Sequence, residues 1–174
     1  FFHDLADIEH SFRQFACLTP ENGCIIANGD DQGARDALAA LGWPVRRVRV
    51  TDTNADIYAN NVAFFDGFPC FDVMADGKRY AHVELHVPGK HNISNALAAA
   101  AAAYVLGVDG TAVEEGLSSF TGAERRFQYK GTFNGAQVYD DYAHHPDELH
   151  ALLDMARSLP HQRLVCAFQP HTYT

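Results

Sequence analysis

Two asparagines, Asn92 and Asn95, lie three residues apart at the start of a predicted helix. At that spacing both side chains can lie on one face of the helix. An asparagine amide offers a hydrogen-bond donor beside an acceptor, a pair that matches the edge of an adenine base. The two residues are therefore candidates for holding a nucleotide. The alternative is that Asn92 only caps the helix while Asn95 is solvated, since Asn is a favoured N-cap residue.

The second candidate segment runs from Asp140 to Pro146 and has the sequence Asp-Asp-Tyr-Ala-His-His-Pro. It lies between a predicted strand and a predicted helix, where open α/β sheets bind ligands. One of its aspartates could accept hydrogen bonds from ribose hydroxyls, and His144 could bind a ligand or exchange a proton near physiological pH. The alternative is a strand-to-helix turn whose side chains form only local hydrogen bonds.

An arginine pair, Arg125 and Arg126, follows a predicted domain boundary near residues 121–124. A guanidinium group there could reach across a cleft between domains and neutralise a phosphoryl group during its transfer. The alternative is a solvated surface pair, which is the commoner situation for exposed arginines.

The chain has ten histidines, and three of them, His82, His86 and His91, raise the question of a metal site. If residues 83–87 form a strand, His82 and His86 share a face but lie about 13 Å apart, at about 3.3 Å per residue. One zinc ion cannot bridge imidazoles at that separation, because its bonds to nitrogen are about 2.0–2.1 Å long. We therefore predict that His82 and His86 are exposed strand residues, and we predict no metal site.

The first third of the chain alternates helix and strand patterns. Ile8, Phe12, Phe15 and Ala16 recur at the spacing of one helix face, and short apolar runs follow. Helices between short buried strands predict a parallel sheet covered by helices.

The pattern changes between residues 55 and 87, where three strand-like runs are separated by Asp66-Gly67 and Asp76-Gly77. These dipeptides favour tight hairpin turns, so this part predicts a three-stranded antiparallel meander. A helix is predicted from 92 to 106, and a second helix follows with Thr111 and Glu114 as a capping box.

A new unit is predicted after residues 121–122. It comprises strands near 127–133 and 137–140 joined through Asn134-Gly135, a helix that begins at Pro146, and a buried strand at 163–168.

Composition excludes several classes of protein. Lys plus Arg number 13 against 22 Asp plus Glu, a net charge of −9, which argues against a nucleic-acid partner. The four cysteines lack any Cys-x-x-Cys pair and are typical of free thiols in a reducing compartment. The longest small apolar stretch, 96–106, is too short to cross a bilayer. The chain also contains no Walker A motif.

The order of the candidate motifs resembles that of the Mur ligase family, over essentially the whole chain and most strongly from Val87 onward. The motifs are Pro88-Gly89-Lys90-His91-Asn92 with Asn95-Ala96, Gly122 with Arg125-Arg126-Phe127, Asp140-Asp141-Tyr142-Ala143-His144-His145-Pro146, and Phe168-Gln169-Pro170-His171-Thr172-Tyr173. The last two motifs resemble those of family members that join L-alanine to UDP-N-acetylmuramate.

The resemblance implies two domains. Residues 1–121 resemble the C-terminal half of the family's central ATP-binding domain, and residues 122–174 resemble the N-terminal part of its C-terminal domain. The expected fold class is α/β: part of a parallel sheet with helices and a small three-stranded antiparallel sheet, followed by the start of a second Rossmann-like α/β domain. The family's UDP-binding domain and P-loop lysine have no counterpart in these residues, so we expect an internal fragment that is inactive alone.

The resemblance also implies the chemistry. A substrate carboxylate attacks the γ-phosphate of ATP, and the alanine amine then attacks the resulting acyl phosphate. The implied cofactors are ATP and Mg²⁺, with the magnesium ligands upstream of this chain. The implied partners are ATP, UDP-N-acetylmuramate and L-alanine, with no nucleic acid and no membrane insertion, in the bacterial cytoplasm. We also expect an exposed apolar face and self-association of the fragment.

The family's roles carry over residue by residue. Arg126 and His144 are expected to be catalytic, Asn92, Asn95, Asp141 and His91 to bind the nucleotide, and Tyr142 and His171 to bind substrate. Two other interpretations stay open at this point: a stand-alone nucleotide-binding module without catalysis, and the related ligase that recycles the murein tripeptide.

Overall fold

The computed structural model describes residues 2–20, 22–39, 41, 45–49 and 55–170, with only the backbone described at 45–49. Five helices and seven strands are assigned in these residues. They are α1 (Leu5–Ala16), β1 (Ile25–Asn28), α2 (Gln32–Leu38), β2 (Val45–Arg49), β3 (Ile57–Phe65), β4 (Phe68–Ala75), β5 (Lys78–Glu84), α3 (His91–Val105), α4 (Gly110–Ser119), β6 (Gln128–Phe133), β7 (Ala136–Asp140) and α5 (Pro146–Ser158).

The first five strands form one mixed sheet in chain order. β1 pairs in parallel with β2, and β2 pairs in parallel with β3. β3, β4 and β5 then form an antiparallel meander. The predicted parallel part and the predicted meander are therefore continuous, because β3 belongs to both. The α/β fold class is confirmed.

Both predicted hairpin turns are present. Asp66 and Gly67 have φ angles of 51° and 86°, and Asp76 and Gly77 have φ angles of 48° and 74°. Positive φ at both central residues is what a two-residue hairpin turn needs to match the twist of its strands, and glycine adopts it at little cost.

The core lies between the sheet and α3. The helix packs across β1 to β4 and buries Ile93, Leu97 and three alanines of the same face. The predicted alternation in the third strand of the meander is confirmed, since Val83, Leu85 and Val87 are buried. Small alanine side chains let the helix backbone approach the sheet closely, so larger residues such as Phe71 fill the remaining space with no exposed surface.

The N-cap of α4 lies two residues before Thr111, the predicted cap. Asp109 is the N-cap, and its carboxylate accepts a hydrogen bond from the Thr111 backbone N–H at 2.9 Å. The predicted capping box of Thr111 and Glu114 is therefore wrong. The Glu114 carboxylate instead accepts a hydrogen bond from the backbone N–H of His82 at 2.7 Å and joins α4 to β5.

The unit that follows contains the predicted hairpin β6–β7, with Asn134 and Gly135 at positive φ, and α5, which begins at Pro146. The predicted strand at 163–168 is wrong: these residues have no regular secondary structure and are exposed. A strand needs a neighbouring strand for its backbone hydrogen bonds, and in the described part of the chain β6 and β7 pair only with each other.

The first helix buries less of its apolar face than its pattern predicts. Of the four residues predicted on that face only Ala16 is buried, while Phe12 and Phe15 are 61% and 72% exposed. Arg13 holds α1 beside α2 through hydrogen bonds to the backbone carbonyls of Ala37 and Asp36, both at 3.0 Å. The expected exposed apolar face is thus present, and self-association through it stays a prediction.

Within the described residues, no helix combines the length and the apolar character that crossing a membrane requires.

Two leucines test the importance of the α3 interface. Leu97 is completely buried, whereas Leu106, just beyond the same helix, is 80% exposed. We expect Leu97→Ala to lower the free energy of unfolding by about 2–5 kcal/mol, because it leaves a cavity in the core. The matched change Leu106→Ala should cost less than about 0.5 kcal/mol. Urea denaturation measures both, and equal losses would contradict the packing described.

Candidate functional site

Three segments that carry predicted site residues lie beside one another: the start of α3, the loop at 122–127, and the loop between β7 and α5. The backbone N–H of Tyr142 donates to the carbonyl of Arg125 at 2.9 Å. The charges of Asp141 and Arg126 both act on the His91 imidazole. The topology therefore gathers residues that lie up to 50 positions apart in the sequence.

At the start of α3, the two asparagine amides are linked to each other. The Asn95 Nδ2 group donates to Asn92 Oδ1 at 3.1 Å, and Asn92 Nδ2 donates to the carbonyl of Pro88 at 2.8 Å. The helix cap is Lys90, without a side-chain hydrogen bond, so the interpretation of Asn92 as a simple cap is wrong. Asn95 is exposed, which leaves its remaining amide groups accessible to a ligand.

His91 lies in the same turn. Burial lowers the pKa of His91, the charge of Asp141 opposes that shift, and the charge of Arg126 adds to it. The imidazole is therefore neutral at physiological pH. Gly89, with φ of 99°, lies close to His91 and to Met155 on α5. A Cβ atom at Gly89 would be 2.9 Å from His91 Cε1 and 3.0 Å from the Met155 side chain. A glycine at this position lets α5 approach the start of α3.

Asp141 uses both carboxylate oxygens on the backbone. Oδ2 accepts from the N–H of Phe127 and Oδ1 accepts from the N–H of Ala143, both at 2.7 Å. These contacts are the local hydrogen bonding that the alternative interpretation expects, and they tie two loops together. Each oxygen can accept a further hydrogen bond, so ribose binding by Asp141 stays a prediction.

Arg126 lies between two residues with a left-handed backbone, Arg125 at φ 57° and Phe127 at φ 46°. Such backbone costs energy for residues with side chains and is concentrated at functional sites. The Arg126 guanidinium is 3.6 Å from Glu148 Oε1 and is 57% exposed. Arg125 turns elsewhere, with its guanidinium carbon 4.6 Å from the centre of the Tyr142 ring.

Tyr142 and His144 are in contact through their rings, whose centres are 5.2 Å apart. His144 Nδ1 lies 2.9 Å from the carbonyl oxygen of Tyr142. A carbonyl oxygen only accepts hydrogen bonds, so Nδ1 carries the proton of the neutral ring and Nε2 keeps its lone pair. His144 can therefore accept a proton or a hydrogen bond at Nε2.

Glu148 is a site residue that the sequence analysis missed. Its carboxylate accepts from the backbone N–H groups of His144 at 3.1 Å and His145 at 3.3 Å, and it faces Arg126. These two hydrogen bonds lower the pKa of Glu148, and the charge of Arg126 lowers it further. The signal that could have found it is a capping box, since Glu148 lies three residues after the helix cap His145.

A cleft of about 410 Å³ adjoins this region. Its walls are Phe64, Gly67, Gly89, Lys90, His91, Ala151, Asp154, Met155 and Ser158. Of the predicted site residues that the structure describes, only His91 lines it. Within the described residues, no hydrogen bond or ion pair joins the two asparagines to Arg126 or Asp141. His171 lies outside the described residues, and its position next to substrate stays a prediction.

Comparison with known proteins adds family information. Residues 1–103 match the family model of the Mur ligase middle domain, and residues 125–173 match that of the Mur ligase glutamate ligase domain. The whole chain is 45% identical to a protein from Clostridium acetobutylicum named UDP-N-acetylmuramate–L-alanine ligase, of which it covers 38%. The chain thus spans about two fifths of the length of the curated relatives it matches.

Solved structures of ligases from the same family have a similar fold. The chain is similar to UDP-N-acetylmuramate-alanine ligase MurC from Thermotoga maritima, with a TM-score of 0.73 and 28% identity over 90% of this chain and 34% of that one. It is also similar to a murein peptide ligase from Psychrobacter arcticus, with a TM-score of 0.69 and 34% identity over 90% of this chain and 33% of that one. With a family model matching more than half of its residues, the chain belongs to the Mur ligase family.

Proposed function

We propose that the protein to which this chain belongs joins L-alanine to UDP-N-acetylmuramate with ATP, during synthesis of peptidoglycan precursors in the bacterial cytoplasm. The observation that carries the proposal is that curated relatives matching the whole chain at 41–45% identity are all named UDP-N-acetylmuramate–L-alanine ligase. The 174 residues alone are inactive in this proposal, because they contain no Walker A loop to hold the phosphates of ATP.

In this reaction a carboxylate oxygen of UDP-N-acetylmuramate attacks the γ-phosphate of ATP, and ADP leaves. The alanine amine then attacks the carbonyl carbon of the acyl phosphate, and the tetrahedral intermediate expels phosphate. Negative charge develops on the transferred group, so a guanidinium beside it stabilises the transition state. Arg126 has this role in our proposal, and Glu148 positions its guanidinium.

The other predicted residues surround the nucleotide and the substrate. Asn95 binds the adenine edge, and Asn92 orients the Asn95 amide through the hydrogen bond between them. Asp141 accepts from the ribose hydroxyls, and the neutral His91 lies beside the nucleotide. His144 offers Nε2 to the reacting groups, with Tyr142 beside it. The family resemblance implies that His171 binds near the incoming alanine, and we keep that role in the proposal.

The described residues do not fit a magnesium ion. Mg²⁺ prefers carboxylate oxygens in a near-octahedral arrangement. Asp141 and Glu148 are engaged with backbone N–H groups, Glu148 also faces the Arg126 guanidinium, and Asp140 lies 3.8 Å from Arg125 Nε. Magnesium ligands of the parent protein are therefore proposed upstream of this chain, and no step here is assigned to the ion.

We also propose a domain boundary at residues 121–122, with residues 1–121 and 122–174 in different domains. The two family matches, which end at residue 103 and begin at residue 125, support this division.

The first prediction concerns the substrates. We expect the full-length protein to release phosphate when ATP, UDP-N-acetylmuramate and L-alanine are all present, and the 174-residue chain to release none. A coupled phosphate assay measures both. If the murein tripeptide supports turnover and L-alanine does not, the protein is a recycling ligase. If the 174-residue chain alone binds ATP tightly and the full-length protein has no turnover, the nucleotide-binding module is favoured.

The second prediction concerns the arginine pair. We expect Arg126→Ala in the full-length protein to lower kcat about 100-fold, as for loss of one charge-stabilising group, with little change in KM for ATP. Arg125→Ala is the matched control, since its guanidinium contacts Tyr142 and Asp140 at the surface. The control should keep kcat within about fivefold. An unchanged kcat in Arg126→Ala would remove Arg126 from the proposed reaction.

The third prediction concerns nucleotide binding. We expect Asn95→Ala to raise KM for ATP about three- to tenfold with kcat unchanged, because a neutral hydrogen bond to the base contributes equally before and during the reaction. The neighbouring change Ser94→Ala should leave both constants unchanged. Steady-state kinetics with varied ATP measures them, and an unaltered KM in Asn95→Ala would contradict adenine binding there.

A further inference from the structure

Four polar side chains form a compact group on one face of the β4–β5 ladder, on the opposite side from the core. The register pairs Cys70 with Glu84 and Asp72 with His82. Directly opposite residues in an antiparallel pair share a face, and their Cβ atoms are close. We call these four residues the ladder cluster. It shares no residue with the candidate functional site described above.

Three members of the ladder cluster present metal-binding atoms to one point. Cys70 Sγ is 3.6 Å from His82 Nε2, and His82 Nε2 is 3.8 Å from Glu84 Oε1. All three atoms lie within 4.8 Å of one another. Ligands of a tetrahedral zinc ion, with bonds of about 2.0–2.3 Å, are separated by about 3.3–3.6 Å. The spacing therefore fits one ion with only small side-chain adjustments.

The fourth member orients the histidine. Asp72 is only 8% exposed, and its Oδ1 lies 2.8 Å from His82 Nδ1. Its Oδ2 accepts a hydrogen bond from Asn61 Nδ2 at 2.8 Å, which holds the carboxylate in place. A carboxylate on Nδ1 keeps the proton there and directs the Nε2 lone pair toward the ligand position, as in carboxylate–histidine–zinc arrangements.

The competing interpretation is a catalytic thiol. Cys70 contacts His82, and His82 contacts Asp72, which is the arrangement of a nucleophile, its base and an orienting carboxylate. A nucleophilic cysteine needs an electropositive environment that favours its thiolate. The environment of Cys70 is the reverse, because the carboxylates of Glu84 and Asp72 lie on the same face of the ladder as its thiol, and the nearest Glu84 oxygen is within 4.8 Å of Cys70 Sγ. A bound cation would neutralise the negative charge of these carboxylates. A nucleophilic role for Cys70 would leave that charge uncompensated.

We propose that Cys70, His82 and Glu84 bind a divalent transition-metal ion of the zinc class, with water in the fourth position. Thiolate, imidazole and carboxylate together suit zinc better than magnesium or calcium, which prefer oxygen ligands alone. The ion connects β4 to β5 and stabilises the meander on which α4 packs.

Zinc titration of the chain tests the proposal. The background variant has Cys17, Cys24 and Cys166 replaced by Ser, so that Cys70 is the single thiol. We expect calorimetry to show one Zn²⁺ bound per chain, and Co²⁺ to give a thiolate-to-cobalt charge-transfer absorption. Absence of one-to-one binding would overturn the proposal.

Variants of the ladder cluster identify the ligands. In that background, Cys70→Ser should abolish the cobalt–thiolate absorption and weaken zinc binding at least about 100-fold, and Asp72→Asn should weaken it about 10- to 100-fold. Glu84→Gln is a ligand variant that preserves folding, because the Glu84 side chain is 71% exposed; it should weaken zinc binding at least about tenfold.

His145→Gln, in the histidine-containing loop before α5, is the control and should bind zinc normally. Zinc affinity that is lost in His145→Gln but retained in both Cys70→Ser and Glu84→Gln would overturn the assignment. Circular dichroism of each variant verifies that a change in affinity does not come from unfolding.

Discussion

The described structure depends on the close packing of α3 against the five-stranded sheet. Its alanine-rich face brings the helix backbone near the strands, and Ile93 and Leu97 anchor it with no exposed surface. This packing determines where the first turn of α3 emerges, and that turn carries Asn92 and Asn95. Gly89, two residues before the first residue of α3, has no side chain and therefore lets Met155 of α5 approach closely. The packing of α3 on the sheet thus positions the asparagine pair, and Gly89 lets Met155 of α5 lie close to the loop before α3.

A second constraint acts at the loops, where carboxylates are bound to backbone N–H groups. Asp141 joins the segment of Phe127 to that of Ala143, and Glu148 holds the two residues before α5. These acids satisfy N–H groups that would otherwise lack partners at a turn and at a helix start. Arg126 gains its position indirectly, because its backbone belongs to the first loop and its guanidinium faces Glu148. The arrangement explains how exposed loops can present a charged group in a defined place.

Local signals predicted much of this architecture, and long-range packing decided the rest. The Asp-Gly and Asn-Gly turns and the alternation of Val83, Leu85 and Val87 depend on a few neighbouring residues, and all are confirmed. The strand at 163–168 needed a partner strand, which its own residues cannot reveal. The apolar face of α1 likewise required a covering surface that the described residues do not supply. The asparagine pair was recognisable from its spacing in the sequence. Glu148 was recognisable only from its position three residues after the helix cap His145.

The ladder cluster shows why strand register is hard to predict. Continued from the turn at Asp76-Gly77, a regular hairpin would place Asp72 opposite Ala81 and Cys70 opposite Val83. A bulge between Val73 and Met74 shifts the pairing by one residue, so polar residues oppose polar residues. The extra residue is Tyr80, whose hydroxyl donates to the carbonyl of Val108 and whose backbone lies against Gly110. Contacts with the start of α4 therefore hold the bulge, and His82 meets Cys70 only because a helix almost thirty residues later accommodates Tyr80.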